Sequence, residues 1–249
     1  MNYKKKIIVE LFFQKIICFC VLSFIYPIFW VWLFIIKQYH ITQLQEIRDE
    51  FKKITCKVAR SPLIICPNHL TYIDSMLLLL SFDSLWHYMF RFYTFAWNFP
   101  KTEHVKNNLL YKVICYLGKC ILLDVNVSTE QSMKKAVYLL MQGEYLMLFP
   151  EGHRSTNGLV DTQNFAYGVG KLVNEVPHTK ILCVYLRGSS QKKGSNFPNR
   201  GDQFYCKLKL ISPTTTGSGL RAAREISKNI IETISGLEQD YFKEAVCLH

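Results

Sequence analysis

His69 and Asp74 place an imidazole and a carboxylate five positions apart, in Pro67-Asn68-His69-Leu70-Thr71-Tyr72-Ile73-Asp74, where the apolar run Leu63-Ile64-Ile65-Cys66 stops at a proline. A carboxylate on one ring nitrogen fixes the imidazole tautomer and leaves the other nitrogen to take a proton from a hydroxyl. The competing assignment is structural: Thr71-x-x-Asp74 has capping-box spacing, and Asp74 would then only start a helix running through Leu80. A second polar cluster, Glu151-Gly152-His153-Arg154-Ser155, follows the apolar run Tyr145-Leu146-Met147-Leu148-Phe149 and its terminal Pro150. Arg154 and nearby backbone N–H groups suit a phosphate or an anionic carrier group. Glu151 suits a hydroxyl-bearing substrate, and His153 sits between them. Alternatively, Gly152 supplies the positive φ of a solvated turn. No Ser stands in a nucleophile-elbow sequence, so the attacking group is expected to come from the substrate.

Both clusters must be positioned by what precedes them. Leu63–Cys66, Cys120–Leu123, Tyr145–Phe149, Ile181–Leu186 and Phe204–Leu210 read as strands, the last alternating Lys with apolar residues as an edge strand would. Ser128-Thr129-Glu130-Gln131 resembles a capping box ahead of Met133, Val137, Leu140 and Met141, with Gly143 as a stop. Ala223, Ile226, Ile230 and Ile234 recur at helical spacing. This alternation predicts an α/β domain with a mostly parallel central sheet flanked by helices. In such sheets ligands gather at the carboxyl ends of the strands, where both clusters fall. Ser189–Gly201 and Ser212–Gly219 read as loops.

Ile16 to Ile36, IICFCVLSFIYPIFWVWLFII, carries no charge and is bounded by Lys15 and Lys37. At about 1.5 Å per residue it spans roughly 30 Å, the thickness of a hydrocarbon core. No small-residue cleavage site follows, so a retained anchor is expected rather than a signal peptide. Pro27 leaves two arrangements open, one membrane-embedded helix or a helical hairpin. The division is therefore 1–37 as N-terminal membrane anchor, 38–60 as linker or connecting helix, and 61–249 as catalytic domain.

The 249 residues carry a net charge of +11 and 49% hydrophobic residues. The basic excess points to membrane lipids, phosphorylated substrates or an acidic carrier. Nucleic acid is not expected, because the basic residues are dispersed and no recognition motif is present. Nine Cys, with no Cys-x-x-Cys pair, give an odd count without metal spacing. Cys66, Cys115, Cys120, Cys183 and Cys206 lie in apolar runs, where thiols stay reduced and unreactive. A cytosol-facing domain follows, and a cysteine-nucleophile hydrolase is disfavoured.

Asn68-His69-x4-Asp74, followed about 80 residues later by Phe149-Pro150-Glu151-Gly152-x-Arg154-Ser155, resembles the glycerol-phosphate and lysophospholipid acyltransferase family. Phe165-Ala166-Tyr167-Gly168-Val169 is similar to the element that follows the Glu-Gly motif in that family. The resemblance covers roughly residues 60 to 190. It implies acyl transfer from a thioester of coenzyme A or acyl carrier protein, as co-substrate, to a lipid hydroxyl, with no metal or redox cofactor. His69 would be the general base and Asp74 its partner, with Asn68, Glu151, Gly152, Arg154 and Ser155 binding substrate. The expected product is phosphatidic acid from 1-acylglycerol-3-phosphate, made at a membrane from its cytoplasmic side, the inner membrane if the source is bacterial. Some positions depart from the pattern. Val125 stands where Arg is usual after Leu117-Gly118-Lys119-Cys120-Ile121-Leu122-Leu123-Asp124, and the Trp97-Asn98 neighbourhood replaces a Lys. His153 stands where Thr is frequent, and Lys180–Gly188 lacks the usual prolines. These leave a different lysolipid acceptor open, and, in another class, a non-catalytic membrane-bound lipid-binding protein.

Overall fold

The computed structural model describes residues 3–105, 108–123, 129–191 and 195–247. Asp124 and Val125 of the Gly-rich segment and Ser128 of the expected capping box lie outside them. The helices are α1 (Tyr3–Trp30), α2 (Leu44–Val58), α3 (Asp74–Phe82), α4 (Leu85–Phe90), α5 (Thr102–Val105), α6 (Leu109–Leu117), α7 (Thr129–Met141), α8 (Gly168–Glu175) and α9 (Gly219–Cys247). The strands are β1 (His40–Ile41), β2 (Leu63–Pro67), β3 (Trp97–Asn98), β4 (Leu146–Met147), β5 (Lys180–Gly188) and β6 (Gln203–Ile211). They form one six-stranded sheet in the order β1-β6-β5-β2-β4-β3. Every pairing is parallel except β5 with β6. The protein is an α/β domain with a mostly parallel sheet flanked by helices.

The sheet's period of two sorts β2 between two cores. Leu63 and Ile65 face a layer holding α2 and α3, whereas Ile64 and Cys66 face one holding α7, α8 and α9. All five residues of β2 are buried, as a central strand covered on both faces requires. In α2, Ile47, Phe51, Thr55 and Val58 are buried at helical spacing. Phe51 stacks on Phe82 of α3 at 4.6 Å and 9°. Burying such a ring contributes roughly 2 to 3 kcal/mol, and Phe51→Ala would forfeit it and leave a cavity. Opposite, α8 packs on α9 so closely that a Cβ on Gly170 would lie 1.9 Å from the Ala223 carbonyl oxygen, so only glycine fits.

Some elements differ from expectation. Cys120–Leu123 forms two isolated parallel bridges, Cys120 to Asn98 and Leu123 to Lys101, rather than a strand. Lys119 enters it at φ 53°, a left-handed turn that breaks regular pairing. The short pairs β1 and β3 were not foreseen, because two residues carry no periodicity. In α7 the buried face is Ala136, Leu139 and Leu140, with Met141 60% exposed, a rotation set by packing on β4 and α8.

The apolar N-terminus is a single helix and not a hairpin. It runs through Pro27 and continues as a π-helical stretch, Val31–Ile36, whose wider register starts four residues after the proline. Lys5–Ile36 is long and apolar enough to cross a membrane. Ile7, Leu11, Gln14, Cys18, Leu22, Tyr26 and Leu33 are nevertheless buried at successive turns. Ile7 and Leu11 join the α7–α9 core while Cys18, Leu22, Tyr26 and Leu33 join the α2–α3 core, so the helix passes from one layer to the other.

Candidate active site

The parallel register Ile64 with Leu146, and Leu146 with Trp97, aligns the carboxyl ends of β2, β4 and β3. The loops after these strands carry His69, Glu151–Arg154 and Lys101, which brings together the two clusters from distant parts of the chain.

The first loop folds around Asp74. Its Oδ2 accepts backbone N–H bonds from Leu70 at 2.7 Å and Thr71 at 2.8 Å and lies 3.0 Å from His69 Nδ1. Its Oδ1 accepts the Thr71 hydroxyl. A carboxylate only accepts, so Nδ1 is the ring donor. In the neutral ring that leaves Nε2, which has no partner among the described residues, with the lone pair. Asp74 therefore both opens α3 and holds the imidazole, and the two assignments drawn from sequence are compatible. Phe149 stacks on the imidazole at 4.0 Å and 25°, fixing the ring plane from the second loop.

Glu151 joins the loops. It is 2% exposed, and its Oε1 accepts the His69 backbone N–H at 2.8 Å while Oε2 accepts that of Asp161 at 3.2 Å. Ser155 N–H donates to the His69 carbonyl at 2.8 Å. His69 is thus held through its backbone on both sides. Burial pushes the Glu151 carboxyl up to about 7 against the lowering effect of the two amides, and the nearby Glu238 and Asp161 add to the rise. The Ser155 hydroxyl is 2.9 Å from Asn157 Oδ1 and 2.7 Å from the Leu159 carbonyl, inside its own loop. Asn68 is also buried and bridges β2 to β5, accepting from Leu186 N–H at 2.7 Å and donating to its carbonyl at 3.0 Å. Asn68, Glu151 and Ser155 therefore lie beneath the site, with their polar groups bonded to protein.

Above them is a pocket of about 400 Å³ whose walls include His69, Tyr72, Lys101, Phe149, Gly152, His153 and Arg154. Gly152 has φ +72°, and a Cβ there would lie 3.0 Å from that of Ala166. Arg154 bonds Asn196 Oδ1 at 2.8 Å and the Tyr72 hydroxyl at 2.9 Å, and both partners are neutral. His153 Nδ1 donates to the Glu151 carbonyl at 2.8 Å, and its Nε2 lies 3.4 Å from Asp161 Oδ2. Tyr72, Asn98 and Lys101 were not anticipated as wall residues. Lys101 follows Pro100 just after β3, a signal available only once that two-residue strand is known. Asn98 Oδ1 is buried with no hydrogen-bond partner among the described residues.

A second cavity, of about 1020 Å³ and overwhelmingly apolar, adjoins the first. Leu22, Ile28 and Trp32 from the N-terminal helix, Met76 and Leu79 from α3, and Ile114 from α6 line it. Tyr72, Ser75, Asn98, Tyr111, Cys115 and Cys120 belong to both walls. The eight cysteines from Cys18 to Cys206 are free thiols, and among the described residues no cluster of His, Cys, Asp and Glu is placed to hold a metal ion.

His69, paired with Asp74, thus stands at the carboxyl ends of a parallel sheet, in a pocket with Lys101 and Arg154 that shares a wall with the apolar cavity. A family model described as acyltransferase matches residues 39–187, more than half of the chain, and the chain belongs to that glycerolipid-type acyltransferase family. It is an acyltransferase enzyme acting on lipid substrates. No curated protein matches the chain.

Proposed function

We propose that the protein moves a fatty acyl chain from a thioester of coenzyme A or acyl carrier protein to the hydroxyl of a lysophospholipid. The acceptor that fits best is 1-acylglycerol-3-phosphate, which gives phosphatidic acid. One observation carries this reading: the pocket holding His69 and Arg154 shares a wall with a cavity large enough for hydrocarbon chains. A headgroup and an acyl chain can therefore meet at the imidazole. Another lysolipid with an anionic headgroup would use the same groups.

In this scheme Nε2 of His69 takes the proton of the acceptor hydroxyl as its oxygen attacks the thioester carbonyl carbon. Asp74 holds Nδ1–H and stabilises the imidazolium that forms. The tetrahedral intermediate collapses, the carbon–sulfur bond breaks, and the thiolate leaves as free thiol with the proton from His69. Arg154 holds the acceptor phosphate by paired N–H bonds, with Lys101 as a second cation on the same wall. The unpartnered Asn98 Oδ1 accepts an N–H or O–H of a bound substrate. Asn68, Glu151, Gly152 and Ser155 act through the backbone they hold, keeping both loops at working distance. No metal or redox cofactor enters. The N-terminal helix attaches the domain to the cytoplasmic face of a membrane.

The test is thiol release by purified protein in phospholipid vesicles given an acyl thioester, with and without lysophosphatidic acid. Release that requires the lysolipid, and is faster than with a neutral-headgroup lysolipid, is the expected result. Release unaffected by omitting the lysolipid would identify hydrolysis and reject the transfer.

A further inference from the structure

Arg154, on the wall of the pocket that holds His69, is tethered by a segment beyond the matched family region of residues 39–187. Residues 195–202 are anchored at Asp202, which is 4% exposed. Its carboxylate accepts the backbone N–H groups of Ser190 at 3.1 Å and Asn199 at 3.2 Å, and the Ser190 hydroxyl at 2.8 Å. The Tyr39 hydroxyl donates to the Pro198 carbonyl at 3.0 Å and holds the segment from beneath.

Asn196 carries this anchorage to the site. Its carbonyl accepts the Tyr72 backbone N–H at 3.1 Å, and its side-chain Oδ1 accepts from Arg154 Nη1 at 2.8 Å. One residue thus couples the His69 loop, through Tyr72, to the loop of Glu151–Ser155, through Arg154. Tyr72 completes the tether: Arg154 Cζ stands 3.7 Å from the centre of its ring, and Nη2 donates to its hydroxyl at 2.9 Å. Phe197, next along the chain, lies 6.2 Å from the same ring and lines the apolar cavity.

The chemistry of the tether is informative. A guanidinium has five N–H donors and no acceptor, so the atom facing it from Asn196 is the amide oxygen. A carboxylate in that place would bind the arginine more strongly, but it would also cancel the charge that a phosphate needs. A neutral oxygen fixes the fork in advance and leaves its charge for the ligand, which lowers the ordering cost of binding.

We infer that Asn196 is a positioning residue that sets the preference for a phosphate-bearing substrate by holding Arg154 through a neutral oxygen. The ligand chemistry is a phosphate group, supplied by the acceptor headgroup or by the thioester carrier. The inference rests on the reading of this pocket as the site of acyl transfer.

The experiment compares the full-length wild type, Asn196→Ala and Asn196→Asp in vesicles of zwitterionic phospholipid. Thiol release gives KM for 1-acylglycerol-3-phosphate at saturating acyl-CoA, and KM for acyl-CoA at saturating lysolipid. Asn196→Ala should raise the lysolipid KM about three- to tenfold, the cost of ordering one side chain on binding. Asn196→Asp should raise it about tenfold further, and high salt should shrink that extra rise because residue 196 is exposed and its charge is screened. Both variants should keep kcat within about twofold, as expected when an interaction made equally before and during reaction is lost. Neither substitution removes the backbone bond to Tyr72, and equal melting temperatures check that the fold is kept. A residue that only shaped the loop would give the opposite order, with Asn196→Asp closer to wild type than Asn196→Ala, because the charge-assisted bond is stronger. That order in both KM values, or a loss confined to kcat, overturns the inference. The expected order in the KM for acyl-CoA, with the lysolipid KM unchanged, supports Asn196 as the phosphate-positioning residue and rejects the acceptor assignment.

Discussion

Two buried glutamates, seven residues apart in sequence, serve regions with opposite requirements. Glu144 fastens the N-terminal helix to the domain, with Lys119 Nζ at 2.9 Å, Trp97 Nε1–H at 3.0 Å and Lys15 on its other oxygen. Glu151 sits under the loop that carries His69, with backbone amides and, among the described residues, no cation on its oxygens. Their exposures are 3% and 2%. Burial pushes both carboxyls upward, but around Glu144 the two lysines outweigh it and the net direction is down, whereas Glu151 rises to about 7. Lys119, fully buried, is itself pushed down to about 8 by its burial, against the pull of Glu144. The difference is instructive: burial alone does not decide a carboxyl's charge, and its neighbours do. The fastening site uses fixed charges to hold a helix, and the site around His69 uses amides to hold a backbone.

The sharpest separation of the two regions is His69→Ala. It should lower kcat by about 10² to 10⁴-fold, the range for a lost general base, with the melting temperature close to wild type. Steady-state thiol release with calorimetry checks both halves, and near-normal turnover would remove His69 from the chemistry.

Glu144→Ala is the reverse case. It strands Lys119 in an apolar site and should cost about 3 to 5 kcal/mol in urea unfolding, while the molecules still folded keep their KM. A KM change without a stability change would mean that the fastening site also reads substrate.

Glu151→Gln tests the raised carboxyl through pH. A folded value of about 7 against the ordinary 4.5 means that its stabilising contribution is full below about 4.5 and is lost as pH rises through about 7. Wild type should therefore lose stability relative to Glu151→Gln between pH 5 and pH 8, by up to about 3 kcal/mol. Parallel melting curves across that range would show that Glu151 is not perturbed.

Arg154→Lys is the mildest change. It keeps the charge but loses the paired N–H geometry, so KM for a phosphate-bearing lysolipid should rise about tenfold, roughly 1.4 kcal/mol, with kcat little altered. An equal KM rise for a neutral lysolipid would deny Arg154 its headgroup role.

The parts of this site legible in sequence are those made by local chemistry. His69 and Asp74 meet across one turn, and the loop between them supplies the amides that fix the carboxylate. β2 and β5 announced themselves as continuous apolar runs, and α9 as a repeating isoleucine face. Short pairing was not legible. Two-residue strands such as Trp97–Asn98 have no period to detect, so the neighbouring Lys101 and Asn98 could not be placed at the pocket. Glu151 was recognisable as part of the site, but not the direction of its carboxylate, which depends on an amide 82 residues away.

The order of residues alone determined the alternation of strands and helices, the histidine–aspartate turn, the arginine-bearing loop and the apolar N-terminus, because each is encoded within a few neighbouring positions. Only tertiary structure decided that Phe149 stacks on the imidazole, that Glu151 grips the backbone of His69, and that the apolar helix runs along the domain with one side committed to protein. Those outcomes depend on sheet register and on the partners each buried charge finds, and both arise from contacts between residues far apart in the chain.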